Sequence, residues 1–523
     1  MSFFPLASHP PLQPPRRGLE ALLAHPLFWL LALAVAHVVV RVAISPALKW
    51  DEAQQMLWSQ QLALGYGAQP PLYTWLQWGV NQLFGPGVLA LALLKYALIA
   101  LACVLLWLAA RELMGRRAAW WAAASLWLLP PFGWYSVRDL THTVLVTAMT
   151  CGAWWLLLRI ARRGGSGCQR EFAALGLVCG CGMLAKYNFA LMLAALIAAL
   201  LSVRETRRAL FGRGWWWTLL IAGLIVAPYG WWMLSNWRTA TADVIGRLAS
   251  TLQHRWGTGL SQLVMATLGT LALWALSALA VFGSRWWRRP ASMPEVAAPW
   301  LRPVFGRYLG LIAIALLAMV FVANATAFRS RWLLPLLAPV PLMAFALRPE
   351  LDADPRGRRM TGLVLALTLA ILAAAGALPW FAYITGKVDQ LNDPALQLAQ
   401  VLQNAGYDGR GRIVAADYPL GGTLRTRFPA APVAVCPPHT DDVAGCMAVN
   451  AQIAERAGQG WLLISHTDRS PIEPGGWEPM LARIPGSDTL PRNHLRLPYR
   501  MVRPAQPLAS YDFVWHPAAA PQP

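Results

Sequence analysis

FAALGLVCGCGMLAKYNFALMLAALIAALLSV, residues 172–203, decides how the chain is threaded. As one α-helix these 32 largely apolar residues would run about 48 Å at 1.5 Å per residue. The hydrocarbon core of a bilayer is ~30 Å thick and takes about 20 residues. Arg159, Arg162, Arg163 and Arg170 precede the stretch, and Arg204, Arg207, Arg208 and Arg213 follow it. Basic flanks stay on the cytoplasmic side, so both ends belong there. The stretch is therefore expected to cross twice, turning near Lys186-Tyr187-Asn188.

Working outward, further apolar runs lie near 27–45, 88–110, 118–134, 140–158, 215–234, 260–283, 308–324, 332–347 and 361–383. With the double crossing they make eleven spans. The N-terminus and the five loops on its side carry 22 Lys and Arg, against 8 in the outer connections before the C-terminal region. That asymmetry places the N-terminus in the cytoplasm and the C-terminus outside. Composition agrees: 57% of the 523 residues are hydrophobic and 13% charged, where a soluble chain has about 25% charged. An ordinary soluble enzyme and a disordered chain are both excluded. The net charge of +20 belongs to short loops between apolar runs, which argues for membrane orientation and against nucleic acid. The expected fold is an α-helical polytopic membrane protein.

Two regions depart from simple spans. The first outer loop, 46–87, reads as an amphipathic helix, a Gly-rich turn and a second helix opened by Pro70-Pro71. Helices of this kind lie in the membrane interface and could roof a lipid cavity lined by Gln69, Pro70, Pro71, Tyr73 and Trp75. From about residue 384 the texture changes. GRIVAADYPLGG, APVAV and GWLLISH read as strands, and ALQLAQVLQNAGY and VNAQIAERAG as amphipathic helices. Residues 1–383 are thus expected to form the membrane domain and 384–523 a small α/β domain on the outer side. Seven Cys are too few for a disulfide scaffold, but Cys436 and Cys446 flank a loop in the outer region and form a candidate disulfide there.

Charged residues at the membrane's edge are costly and tend to be functional. Here they gather on the outer side: Asp51 and Glu52 after the first span, Arg138 and Asp139 before His142 in the second outer turn, Lys186 at the third, and Arg329 and Arg331 at the fifth. Such a set of both signs suits an anionic headgroup at the outer surface. Each also has a plainer reading: Asp51 and Asp139 as helix caps, Arg329 and Arg331 as interfacial snorkellers, and His142 as a satisfied helix histidine. No phosphate-binding Gly loop, CxxC pair or HExxH is present.

The motifs DEAQ (51–54), LALGY (62–66) and QPPLYTWL (69–76) resemble the signature of glycosyltransferase family 39, the branch related to lipid A aminoarabinose transferase and protein O-mannosyltransferases. The likeness continues in RDLTHTVLV, GMLAKYNFALML and RSRWLLPLLAPVPL, and covers about residues 25–380. It implies a GT-C fold and a sugar donor on a polyprenyl phosphate. It also implies transfer on the outer face of the bacterial inner membrane, usually with inversion. The acceptor candidates are lipid A or core, another envelope glycan, or a protein. The essential carboxylate of the family maps to Asp51, its neighbour to Glu52, the second acidic position to Asp139 and the basic residue of the KY turn to Lys186. Many members carry Lys just before the Pro pair, where this chain has Gln69.

The residues suit that chemistry. A glycosyl transition state builds negative charge on the departing phosphate, so fixed cations stabilise it more than the ground state. Arg138, Lys186, Arg329 and Arg331 are the candidates, and Asp51 is the candidate base for the attacking group. A divalent cation could bridge carboxylate and phosphate, although no residue spacing specifies a metal. The competing readings are a lipid-linked sugar flippase, which would place charges at mid-bilayer, and a non-catalytic envelope assembly subunit.

Overall fold

A computed structural model of the chain describes residues 26–67, 69–238, 256–283, 298–436, 460–469, 491–504 and 508–518. Helix α1 spans Pro26–Ile44 and ends against the first loop. That loop folds as expected: α2 (Trp50–Trp58), a turn, then α3 (Leu72–Phe84). Next come α4 (Val88–Arg111), α5 (Arg116–Ala124) and α6 (His142–Arg162). Between α5 and α6 the chain passes through a 3-10 turn at Ser125–Leu128 and a π turn at Pro131–Tyr135. Pro130 and Pro131 remove two backbone donors there, so the expected 118–134 span is a broken one.

The 172–203 stretch divides where the flanking charge requires. Helix α7 (Gln169–Met183) stops before Lys186 and α8 (Asn188–Leu201) starts after it. A short α9 (Arg204–Leu210) bends away from α8 by 116°. Then follow α10 (Trp215–Ser235), α11 (Trp256–Phe282), α12 (Leu301–Phe321), α13 (Ser330–Leu337), α14 (Val340–Ala346), α15 (Gly357–Ala377) and α16 (Phe381–Thr385). The expected 332–347 span is interrupted at Pro339, between α13 and α14. Among the described residues seven helices are long and apolar enough to cross a membrane, or eight if α8 and α9 count as one. The chain is therefore a multi-pass membrane protein.

Burial orders these helices. The membrane-length window of α6 is 83% buried and that of α10 only 6%, so α6 runs through the middle of the bundle and α10 along its apolar outside. Helices α7 and α10 approach closely because α7 carries Gly176 and Gly180, one turn apart. A Cβ at either would lie 2.9 or 2.8 Å from the Cβ of Ile221 or Ile225, the small-residue contact typical of membrane helices.

The connections sort to two ends. At one end Arg159 pairs with Glu112 and Glu171, and the Ala118 N–H donates to Asp352. At the other, the Asp51 N–H donates to Asp139, the Leu72 N–H to the Leu184 carbonyl, and Asn188 to the Trp332 carbonyl. The loops expected on the outer side thus meet.

After α16 the chain builds α17 (Ala395–Asn404), β1 (Arg412–Ala415), α18 (Tyr418–Arg427), β2 (Val433–Val435), β3 (Trp461–His466), β4 (Asn493–Leu497) and β5 (Ala509–His516). The sheet order is β2-β1-β3-β5-β4, with β1 parallel to β2 and β3, and β5 antiparallel to β3 and β4. One expected strand is corrected. GRIVAADYPLGG is a strand only over Arg412–Ala415, because the Asp417 carboxylate accepts the Leu420 N–H (2.7 Å) and Pro419 falls in the first turn, which starts α18. The expected helix at VNAQIAERAG lies outside the described residues. Cys436 is disulfide-bonded, while Cys446 lies outside the described residues.

The α7–α10 contact gives a test. Gly180→Leu forces a side chain into Ile225 and should destabilise the purified protein by about 1–3 kcal/mol. Gly223→Leu on α10, whose Cβ direction is open to 4 Å, should be nearly neutral. Thermal unfolding in detergent distinguishes them.

Candidate active site

Helix α2 starts with Lys49 as N-cap and carries Asp51 and Glu52 in its first turn. Glu52 faces inward. Its carboxylate accepts hydrogen bonds from Arg41 Nε (3.1 Å) and Nη2 (2.6 Å) and from Lys95 Nζ (3.0 Å). It also accepts the Lys49 backbone N–H (3.3 Å). Glu52, Lys95 and Arg41 are 1%, 1% and 6% exposed. Burial opposes the charge on Glu52, but Arg41 and Lys95 outweigh it and hold the carboxyl well below the usual carboxylate range. Arg41 further donates to the Ser45 and Ala47 carbonyls (both 2.9 Å), fastening the turn between α1 and α2. Both carboxylate oxygens of Glu52 are thus committed to these bonds.

Asp51 faces the other way. It is half-buried, and no hydrogen bond to its carboxylate is found among the described residues. Its backbone N–H donates to Asp139 Oδ1 (3.1 Å). Asp51 is not the N-cap of α2, and Asp139 does not cap α6, whose N-cap is Thr141. Burial pushes the Asp51 carboxyl up, against the opposing pull of Arg331, Lys186 and Lys95. Asp139 is pushed up to about 7, by burial first and then by the charge of Asp51. The two carboxyls thus form an acidic pair in which the charge of one raises the other.

The four candidate cations separate. Arg331 and Lys186 are the cations that act most strongly on the Asp51 charge, and the Lys186 ammonium donates to Thr143 Oγ1 (2.8 Å). Arg138 is exposed and borders a cleft with His37, Arg41, Lys49 and Tyr96, its charge toward Asp389. The Arg329 guanidinium lies 5.7 Å from the Trp332 ring centroid. Elements far apart in sequence hold the first pair in place: the α7–α8 turn carries Lys186 and the first turn of α13 carries Arg331.

The first loop closes over these groups. Gln69 bridges to Tyr66 across the turn, and Trp75 Nε1 donates to the Ala63 carbonyl (2.7 Å). Pro70 and Pro71 are buried, and the following Leu72 N–H reaches the α7–α8 turn. Tyr73 is fully buried, and its hydroxyl has no hydrogen-bond partner among the described residues. Its ring centroid is 5.3 Å from that of His142. Gln55 Nε2 lies 2.9 Å from His142 Nε2, and Thr74 donates to Gln55 Oε1 (2.9 Å). His142 is therefore a hydrogen-bonded helix histidine. Among the described residues no group of three or more His, Cys, Asp or Glu converges as a metal site.

Arg41 and Lys95 were not among the expected site residues. Both stand as single cations inside apolar runs, in VVVRVAI and ALLKYAL. An ionisable residue within a span signals a buried partner, and that signal was legible in the sequence.

The chain matches the family model for dolichyl-phosphate-mannose-protein mannosyltransferases over residues 68–232. It is 33% identical over 418 residues to the lipopolysaccharide core galacturonosyltransferase RgtB of Rhizobium johnstonii, covering 77% of this chain and 82% of that protein. The chain belongs to glycosyltransferase family 39, of the GT-C superfamily. It is also 29% identical over 414 residues to the lipopolysaccharide core galacturonosyltransferase RgtA of the same organism, covering 78% and 81%. In fold, this family 39 transferase is similar to ArnT from Cupriavidus metallidurans bound to undecaprenyl phosphate. The TM-score is 0.59 at 16% identity, over 94% of this chain and 99% of that one.

The division between the two carboxylates predicts opposite stability effects. Glu52→Gln leaves two buried cations undercompensated and should destabilise by about 3–5 kcal/mol, while Asp51→Asn should not lower stability. Asp139 adds a pH signature. Its folded pKa of about 7 lies above the ordinary 3.8, so its contribution is full below pH 4 and is lost as pH rises toward 7. Asp139→Asn should therefore raise the melting temperature at pH 8 and leave it unchanged at pH 4. Melting curves of the three variants at both pH values check this.

Proposed function

We propose that this transferase moves a glycosyl group from a polyprenyl-phosphate donor to an envelope acceptor at the outer face of the bacterial inner membrane. The observation that carries the reading is the Asp51 carboxylate, which has no hydrogen-bond donor among the described residues and lies within the electrostatic reach of two cations from separate loops, Lys186 and Arg331. In this arrangement the cations hold the donor phosphate. Asp51 takes the proton of the acceptor hydroxyl as its oxygen attacks the anomeric carbon. The bond from that carbon to the phosphate oxygen breaks, and polyprenyl phosphate leaves carrying the negative charge. Attack opposite the leaving phosphate inverts the anomeric configuration. Burial raises the Asp51 carboxyl above its ordinary value, which makes it a stronger proton acceptor.

The relatives support a uronosyl group as the sugar and lipopolysaccharide core as the acceptor, ahead of another glycan or a protein. Glu52 holds α2 in place and does not enter the chemistry. Asp51 and Asp139 are the pair that would bind a divalent cation. In our mechanism Lys186 and Arg331 already neutralise the phosphate, so EDTA should leave turnover within about twofold.

We also propose eleven membrane crossings. Seven are the long helices, and four are the shorter or broken segments 116–138, 169–183, 188–201 and 330–346. The N-terminus is cytoplasmic, and the region from 384 onward is periplasmic. The meeting of the first, second, third and fifth outer connections at one end supports this count.

Asp51→Asn should lower sugar transfer by at least about 10²-fold, as for loss of a general base, with expression unchanged. Lys186→Ala should lower it by at least about tenfold, or 1.4 kcal/mol of transition-state stabilisation. The assay is transfer by protein in nanodiscs from a radiolabelled polyprenyl-phosphate uronate to lipopolysaccharide core. Full activity of Asp51→Asn would remove the mechanism. A substrate that crosses the bilayer without transfer would favour a flippase.

A further inference from the structure

Helix α2 is shared between two cores. Ala53 and Met56 pack with Val88 and Leu91 of α4, while Leu57 belongs to the core formed by the sheet and its helices. The segment around α2 is also fastened to residues 389–435 along its whole length. Ser45 Oγ donates to the Leu391 carbonyl (2.7 Å), and the Leu48 N–H donates to Thr423 Oγ1 (3.1 Å). The buried Lys49 ammonium donates to both carboxylate oxygens of Asp389 (2.5 Å each). Gly422 lies so close to α2 that a Cβ there would be 2.5 Å from Ala53 Cα.

The far end of α2 is held in a more specific way. Gln60 Nε2 donates to the Val433 carbonyl (2.8 Å), and Gln60 Oε1 accepts the Val433 N–H (2.9 Å). Val433 opens β2, the outermost strand on its side of the sheet. The side-chain amide of Gln60 thus pairs with both outward backbone groups of one edge residue, as a neighbouring strand would. Asp51 sits between these fastenings.

We infer that residues 389–435 form a positioning element for Asp51, and that Gln60 and Lys49 are positioning residues of the transfer reaction. The inference rests on the role proposed for Asp51. Neither residue reaches the acidic pair through its own side chain. Both act by fixing where α2 lies relative to Lys186 and Arg331. A carboxylate displaced by about 1 Å from its reacting geometry can lose as much as ~10²-fold in rate. The sheet region therefore sets turnover even though the reacting groups lie in the membrane domain and its loops.

The test uses the full chain in nanodiscs, with steady-state transfer from the radiolabelled lipid donor and amide hydrogen exchange across residues 50–58. Gln60→Ala should lower kcat by about tenfold, leave KM for the donor within about twofold, and speed exchange in 50–58. Lys49→Glu and Asp389→Lys should each do the same, and the double variant, which restores the pair reversed, should recover most of the lost kcat and protection. The inference is overturned if Gln60→Ala keeps wild-type kcat and exchange, or if the double variant is no better than either single one. Exchange is measured independently of activity. A wild-type protein that transfers no sugar would defeat the proposed function, while the exchange data would still decide whether 389–435 holds α2.

Discussion

Glu52 lies between Arg41, in the last turn of α1, and Lys95, about two turns into α4. Either cation alone would be very costly at that depth, since an unpaired buried charge loses its hydration with nothing in return. One carboxylate from α2 offsets both. Arg41 then spends its remaining donors on the carbonyls of the α1–α2 turn. This triad welds the first loop to the two helices beneath it, and the groups gathered at this end of the bundle depend on where it leaves α2. A buried ion cluster of this kind is weak evidence for net stability; here its hydrogen bonds tie α1, α2 and α4 together.

The consequence is a division of labour between adjacent residues. Successive side chains on a helix point about 100° apart, so when Glu52 turns into the bundle Asp51 turns out of it. One carboxyl is saturated with donors and held ionised. The other has no donor to its carboxylate among the described residues, sits beside Asp139 and lies within the electrostatic reach of cations from other loops. A solvated acidic pair at a helix start would show no such contrast. The same geometry explains why the first loop, the α7–α8 turn and the start of α13 must reach the same end of the bundle.

Much of this was legible in the sequence, and the rest was hidden for identifiable reasons. Basic flanks around 172–203 required a break near Lys186, and the chain breaks between Met183 and Asn188. The first loop's two helices followed from its amphipathic run and its Pro pair. The interruptions at Pro130-Pro131 and Pro339 could have been anticipated from proline alone. Strands β4 and β5 were missed because HLRL and SYDFVW mix charged residues into their apolar pattern and follow segments without periodicity. DYPLGG was misread because its apolar content outweighed its capping signal. Asp51, Lys186 and Arg331 stood out as charges at loop ends. Arg41 and Lys95 were overlooked because each interrupts a run that otherwise reads as plain membrane helix, and only the three-dimensional structure shows that Glu52 joins them. Arg138 and Arg329 lie near the site in sequence yet face Asp389 and Trp332.

A second cavity, of about 260 Å³, is bordered by Arg111, Glu112 and Arg162. It lies at the opposite end of α4, 16 residues or about 24 Å of helix from Lys95. It offers basic groups without the paired carboxyls Asp51 and Asp139, so the two ends make different demands on a lipid phosphate. The direct measurement is an electron cryomicroscopy structure of the full chain in nanodiscs with undecaprenyl phosphate bound. Our account predicts phosphate density contacting Lys186 and Arg331, with the Asp51 carboxylate open on the side where a sugar would attach. Phosphate density against Arg111 and Arg162, or anywhere out of reach of both Lys186 and Arg331, would contradict it.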